Sequence, residues 1–225
     1  MSNSAIAAQK LNVKYSETII LKDLHFDIQI NDWIDLIGAN NTGKSTLLNA
    51  FYGLHNDIQG LLHVLDYSLN PISVSNLSEL RRKSSFISTH IPLMEHKTIR
   101  ANLALALSAA DKIRDLNSDA LIEQMLEKLG LKTLIKAEVS RLSSSQKLLV
   151  KICRALLNKP RLLMVDESFL GFDTEHYLMA MQLIHEYNTR ENLTVIMTNV
   201  DAHSYHVEQK RVFLLEHQQV RELTV

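Results

Sequence analysis

Cysteine is almost missing from this 225-residue chain. Cys153 stands alone, so no disulfide can form within it, and nothing points to an oxidising compartment. Between Ile152 and Arg154 it reads as a small core residue rather than a nucleophile. Proline, with three residues, and glycine, with six, are scarce as well. No low-complexity linker or solenoid repeat divides the chain, so one large domain, or two lobes sharing a core, is expected. Charge of either sign is not in excess. The formal net charge of -1 argues against a broad basic face for nucleic acid. Long apolar runs are lacking too. The best, residues 102–110, is about half of the ~18 residues a membrane span needs and reads as helix. Residues 1–10 have no apolar core behind a basic start, so no secretory leader is expected. Any link to a membrane would come through a partner.

What is present is ordinary for a folded protein: 46% hydrophobic and 22% charged residues. Strand-like alternation or apolar runs occupy 11–15, 24–30 and 33–37. A loop follows at 38–45, a helix begins at 46–52, and a short strand lies at 61–65. A loop is expected up to Leu77, then a strand at 84–88. The middle turns helical over 98–108, 118–129 and 143–157, with Ser118 as N-cap of the second and Gly130 just past its end. Strand patterns return at 162–165, 193–198, 212–215 and 220–223, and a helix at 174–190 carries Tyr177, Met181, Ile184 and Tyr187 on one face. Apolar strands alternating with helices predict an α/β fold with a mainly parallel sheet. The helical middle reads as an insertion into that core.

The sharpest pattern is Gly38-Ala39-Asn40-Asn41-Thr42-Gly43-Lys44-Ser45, with Thr46 opening a helix. It fits G-x-x-x-x-G-K-[ST] between a strand and a helix. The two glycines let the backbone turn tightly and approach an anion. Loop N–H groups and the helix N-terminus then cradle phosphate oxygens. Lys44 brings positive charge to the outer phosphates, and the Ser45 hydroxyl can reach Mg²⁺. A second site candidate ends the apolar strand Leu162-Leu163-Met164-Val165 with Asp166-Glu167. In open α/β sheets ligands sit at the carboxyl ends of strands. Asp166 is suited to the Mg²⁺ shell and Glu167 to orienting or deprotonating an attacking water.

Together these motifs resemble the ABC-type ATPases over nearly the whole chain. Residues 38–45 match the family's Walker A motif, Leu162 to Asp166 its Walker B, and Glu167 its catalytic glutamate. Leu142-Ser143-Ser144-Ser145-Gln146 is similar to the LSGGQ signature, followed at the usual offset by Arg154-Ala155-Leu156 and Pro160. Tyr15 sits where the family stacks an aromatic on adenine, although a strand aromatic by itself would be expected in the core. Leu170-Gly171-Phe172-Asp173 stands in for the D-loop, and Asp173-Thr174 could also cap the next helix.

The resemblance implies a P-loop NTPase core with an N-terminal antiparallel β subdomain and an inserted helical subdomain, near 1–89 plus 158–225 and 90–157. It implies ATP and Mg²⁺ as cofactors and head-to-tail pairing with a second ATPase subunit, homodimeric or heterodimeric. ATP would lie between Walker A of one subunit and the signature of the other. An integral membrane permease would be the driven partner, held on the inner face of the cell membrane, with residues 89–100 as docking surface.

The departures matter as much. Thr89 stands at the family's Q-loop glutamine, so a metal contact there would be shorter in reach. Asn199 replaces the switch histidine and can hydrogen-bond a phosphate but cannot carry its charge. Ser144 and Ser145 replace the signature glycines, and Ser168 replaces a proline. Slow turnover is expected. The alternative is a pseudo-ATPase that binds ATP but barely hydrolyses it, paired with another ATPase or serving a cell-envelope or division complex. Residues 166–173 resemble the ATPases of Mce-type phospholipid transporters, and residues 93–107 the ATPase of the bacterial cell-division complex. His90, His203 and His206 read as solvated histidines rather than substitutes for the switch. No N-K-x-D motif suggests a GTPase.

Overall fold

The computed structural model describes residues 4–55, 57–109, 118–166, 173–200, 205 and 207–223. Strands β1 (Ser4–Tyr15) and β2 (Thr18–Gln29) form an antiparallel hairpin across the turn Ser16-Glu17, with Ser16 at φ 51°. β3 (Trp33–Ile37), buried at every residue, leads into α1 (Lys44–Phe51). β4 (Ile58–Val64) and β5 (Tyr67–Ser68) return to the hairpin. Next come α2 (Val74–Lys83), β6 (Ser84–Ser88), α3 (Ile99–Ala109), α4 (Ser118–Lys128) and α5 (Ser144–Leu156). Single 3₁₀ turns at Lys132–Leu134 and Val139–Arg141 link the last two helices. β7 (Leu162–Asp166), α6 (Thr174–Glu191), β8 (Thr194–Asn199), β9 (Arg211–Glu216) and β10 (Gln219–Leu223) complete the order.

One sheet is antiparallel, in the order β2-β1-β4-β5. The other runs β10-β9-β3-β8-β7-β6. Its inner ladders are parallel, and only β10 is antiparallel, at the edge. The expected mainly parallel α/β core is present. Because strand side chains alternate between faces, the parallel sheet separates two cores. Trp33, Ile87, Leu163, Val165, Val195 and Met197 face the layer of α3 to α6. Ile34, Leu36, Phe86, Leu162, Met164 and Ile196 face α1 and the antiparallel sheet. Asp35 falls on the first face and is fully buried, where the Lys210 ammonium meets it at 3.1 Å.

Two expectations need correction. The loop expected up to Leu77 contains the start of α2, capped by the Ser73 hydroxyl, which accepts from the Asn76 N–H. This helix fully buries only Leu80, so it offered no apolar stripe to read. β1 starts well before residue 11, because bulges between Ala8 and Leu11, with Lys10 at φ 50°, break its alternation. Among the described residues no helix is long and apolar enough to cross a membrane.

Candidate nucleotide site

Gly38 leaves β3 where any side chain would run into the Leu215 carbonyl of β9. Gly43 sits at φ 105° with a would-be Cβ 2.9 Å from Leu21 of the hairpin. Both positions therefore require glycine, and the loop between them turns through Asn41 at φ 64°. Gly43 is also the N-cap of α1. It has no side chain to accept from the first-turn amides, and no acid stands in that turn. Those orphan N–H groups and the helix dipole leave the helix start electropositive. Within the loop, the Thr42 hydroxyl donates to the Ala39 carbonyl at 3.0 Å. Lys44 Nζ folds back to donate to the Gly38 and Ala39 carbonyls at 2.6 and 2.8 Å. Burial pushes the Lys44 pKa below its ordinary value, and the Asp166 charge opposes that shift.

Strand register brings the remaining groups level. In the parallel ladders Ile37 pairs with Asn199, and Ser88 with Asp166. Gly38, Asn199, Asp166 and Thr89 therefore stand along one carboxyl edge of the sheet. Asp166 is steadied by Thr198, whose hydroxyl donates to Oδ1 at 3.0 Å. Asp166 Oδ2 and the exposed Ser45 hydroxyl have no hydrogen bond among the described residues. Asn199 Nδ2 is a buried donor with no partner among the described residues. Thr89 is exposed in a turn. Glu167, with residues 168–172, lies outside the described residues, as do His203 and His206.

Tyr15 corrects one expectation: it is 53% exposed at the hairpin tip rather than buried. Ile20 and Leu21 of the same hairpin abut Gly43, so the tip belongs to the neighbourhood of the loop. The signature residues stand elsewhere. Ser143 caps α5 in a capping box: its hydroxyl accepts from the Gln146 N–H, and the Gln146 side chain accepts from the Ser143 N–H. Ser144 and Ser145 open the helix. Among the described residues no hydrogen bond or ion pair joins 143–146 to 38–46. Asp173 caps α6 through the His176 N–H at 3.0 Å.

Sequence reasoning missed Thr198, for which no local signal exists. It noted Arg154 as part of a motif without giving it work. The guanidinium donates to the Ile91 and Pro92 carbonyls at 2.7 and 2.8 Å, holding the segment just past Thr89 against α5.

This arrangement is that of a phosphate-loop nucleotide site: open helix-start amides, a lysine over the loop, and a carboxylate and a hydroxyl with oxygens to spare for a divalent cation. The sequence model of the ABC transporter family matches residues 21–170. The chain belongs to that family. A methionine import ATP-binding protein of Pseudomonas fluorescens is 33% identical over 72% of this chain and 48% of its own length. One of Clostridium tetani is 30% identical over 81% and 57%. The chain thus spans about half the length of these curated relatives. A phosphonates import ATP-binding protein of Frankia casuarinae is 28% identical over 86% of this chain and 79% of its own. Among solved structures, an ATP-binding subunit of an ABC transporter aligns with TM-score 0.85 at 23% identity, covering 99% of this chain and 90% of that one. A dimeric ATP-binding cassette with ADP and phosphate aligns at 0.80 and 22%, covering 97% of each. These likenesses establish the fold.

Proposed function

We propose that this chain binds and hydrolyses ATP as the motor subunit of an ABC importer. Tyr15 stacks on the adenine. The amides of residues 38–46 and the Lys44 ammonium hold the phosphates, with Asn40, Asn41 and Thr42 shaping the loop. Ser45, Asp166 and Thr89 would hold Mg²⁺, which would neutralise phosphate charge. Glu167 orients the attacking water, and Asn199 Nδ2, buried and without a partner among the described residues, donates to the outer phosphate. The first turn of α5 at Ser143, Ser144, Ser145 and Gln146 serves the nucleotide of a second subunit, through the Ser144 and Ser145 amides that the capping box leaves open. The helical lobe near 90–157 moves against the rest of the chain as the pair closes. The observation that carries this reading is the shared carboxyl edge of Gly38, Asp166 and Asn199 beside Lys44, in a chain of this family.

A membrane permease is the partner, which sets the chain on the inner face of the membrane. Its docking surface is residues 89–100, where Met94 is 37% exposed. Arg100 is engaged by Asp119 at 2.8 Å and Glu95 by Lys147 at 3.0 Å, so Met94 is the better probe of docking. The relatives' names favour a small polar solute over the phospholipid suggested by residues 166–173. Selectivity itself resides in the permease.

The test is ATP turnover of the membrane-purified complex against its Glu167→Gln form. Abolished turnover in the variant supports a working motor, with a slow native rate because Thr89, Asn199, Ser144 and Ser145 depart from the family pattern. Turnover that persists in the variant, or is missing from the native complex, overturns it.

A further inference from the structure

The phosphate loop reads phosphates alone, so affinity for the base itself falls to the ring proposed to stack on it, Tyr15, whose own strand leaves about half of it uncovered. An aromatic 53% exposed stands at the last position of β1, and ordering such a side chain around a ligand costs free energy. Among the described residues, one ring meets it. The His55 imidazole meets the Tyr15 ring edge to face, with centroids 4.5 Å apart and planes at 62°. His55 is fixed in turn. Its Nε2 hydrogen-bonds to the Lys14 carbonyl, so that nitrogen carries the proton. Two residues on, the Asp57 carbonyl accepts from the Lys14 N–H at 3.0 Å. Lys14, just before Tyr15, is thus held through both backbone groups. Upstream, the Leu54 N–H donates to the Asn49 carbonyl at 2.9 Å, hanging the segment from the end of α1. The helix that begins at the phosphate loop therefore ends by bracing the hairpin tip.

We propose that His55 is a positioning residue for base recognition: its ring holds Tyr15 in the orientation that stacks on adenine and ties base affinity to the phosphate-loop helix. This rests on the assignment of Tyr15 to the base.

The test titrates the full chain with ATP and with inorganic tripolyphosphate, each with Mg²⁺. Tripolyphosphate reads the loop alone, so the ratio of the two dissociation constants isolates the base. Tyr15→Ala and His55→Ala are both expected to weaken ATP binding, the latter by about three- to tenfold, and to leave tripolyphosphate binding unchanged. His55→Phe, which keeps a ring but no N–H donor, should recover ATP affinity. His55→Gln, with a donor but no ring, should not. Three outcomes overturn the proposal. The ratio could fall in Tyr15→Ala but not in His55→Ala. Gln rather than Phe could rescue, which would make the backbone pin the working contact. Or His55→Ala could weaken both ligands equally, the mark of a merely structural role. A ratio unchanged in Tyr15→Ala removes the base assignment itself, and this inference with it.

Discussion

Lys44 spends its ammonium on two carbonyls of its own loop, and the phosphates of a nucleotide would take over that charge. A hydrogen bond to a charged group contributes about 1.5–3 kcal/mol. Lys44→Ala should therefore weaken ATP binding on the order of ten- to a hundredfold in a nucleotide titration, with the fold retained. Asn199 offers a donor but no titratable ring. Turnover of the native complex should lack an inflection in the histidine range, whereas Asn199→His should be faster and gain one near pH ~6.5. An Asn199→His rate no greater than native would remove Asn199 as the cause of slow turnover. At this scale the sequence was legible wherever chemistry is local. The residues of the loop between β3 and α1 are neighbours in the chain, so their spacing alone marked where the backbone turns between Gly38 and Gly43. Thr198 and His55 act on residues 32 and 40 positions away, and no pattern in the sequence announces such a contact.

Among the elements, α5 joins two jobs. Its first turn carries the signature residues in a capping box, and its last turns carry Arg154, which clasps the carbonyls of Ile91 and Pro92. Ser143→Ala removes the cap, which should cost about 1 kcal/mol and lower the melting temperature by roughly 2–4 °C for a chain of this size. Thermal melts with and without ATP check this. A variant melting at the native temperature would mean that the box adds nothing. The helical middle, the strand before the phosphate loop and the closing strands were all readable, because each shows an apolar period or, in β3, an unbroken run of buried residues. α2 was not, since it leans on a cap and one buried leucine rather than a stripe. The first half of β1 was not, since bulges shift its alternation.

For the whole molecule, surface ion pairs bind distant segments: Asp66 to Lys83 and Arg161, Glu186 to Lys128, and Glu222 to Arg211. Hydrogen bonds from these partners hold the three carboxyl pKa values below their ordinary 3.8 or 4.5, and the His176 N–H does so for Asp173. The native state then binds fewer protons than the unfolded chain, so this stability is present above the unfolded values and lost as pH falls through the folded ones. Melting temperature should drop as pH falls below about 4.5, and the drop should shrink in high salt because the pairs are largely exposed. A pH-independent melt over that window would contradict it. The sequence by itself determined the α/β class, the glycine-framed loop between β3 and α1 and the strand ending in Asp166, because each is written in consecutive residues with a fixed period or spacing. The tertiary structure alone decided that Asn199, Asp166 and Thr89 share one edge with Gly38, that Tyr15 stands open against His55, and that Asp35 is buried against Lys210. Those facts depend on strand order and register, which arise when segments far apart in the chain pack into one sheet.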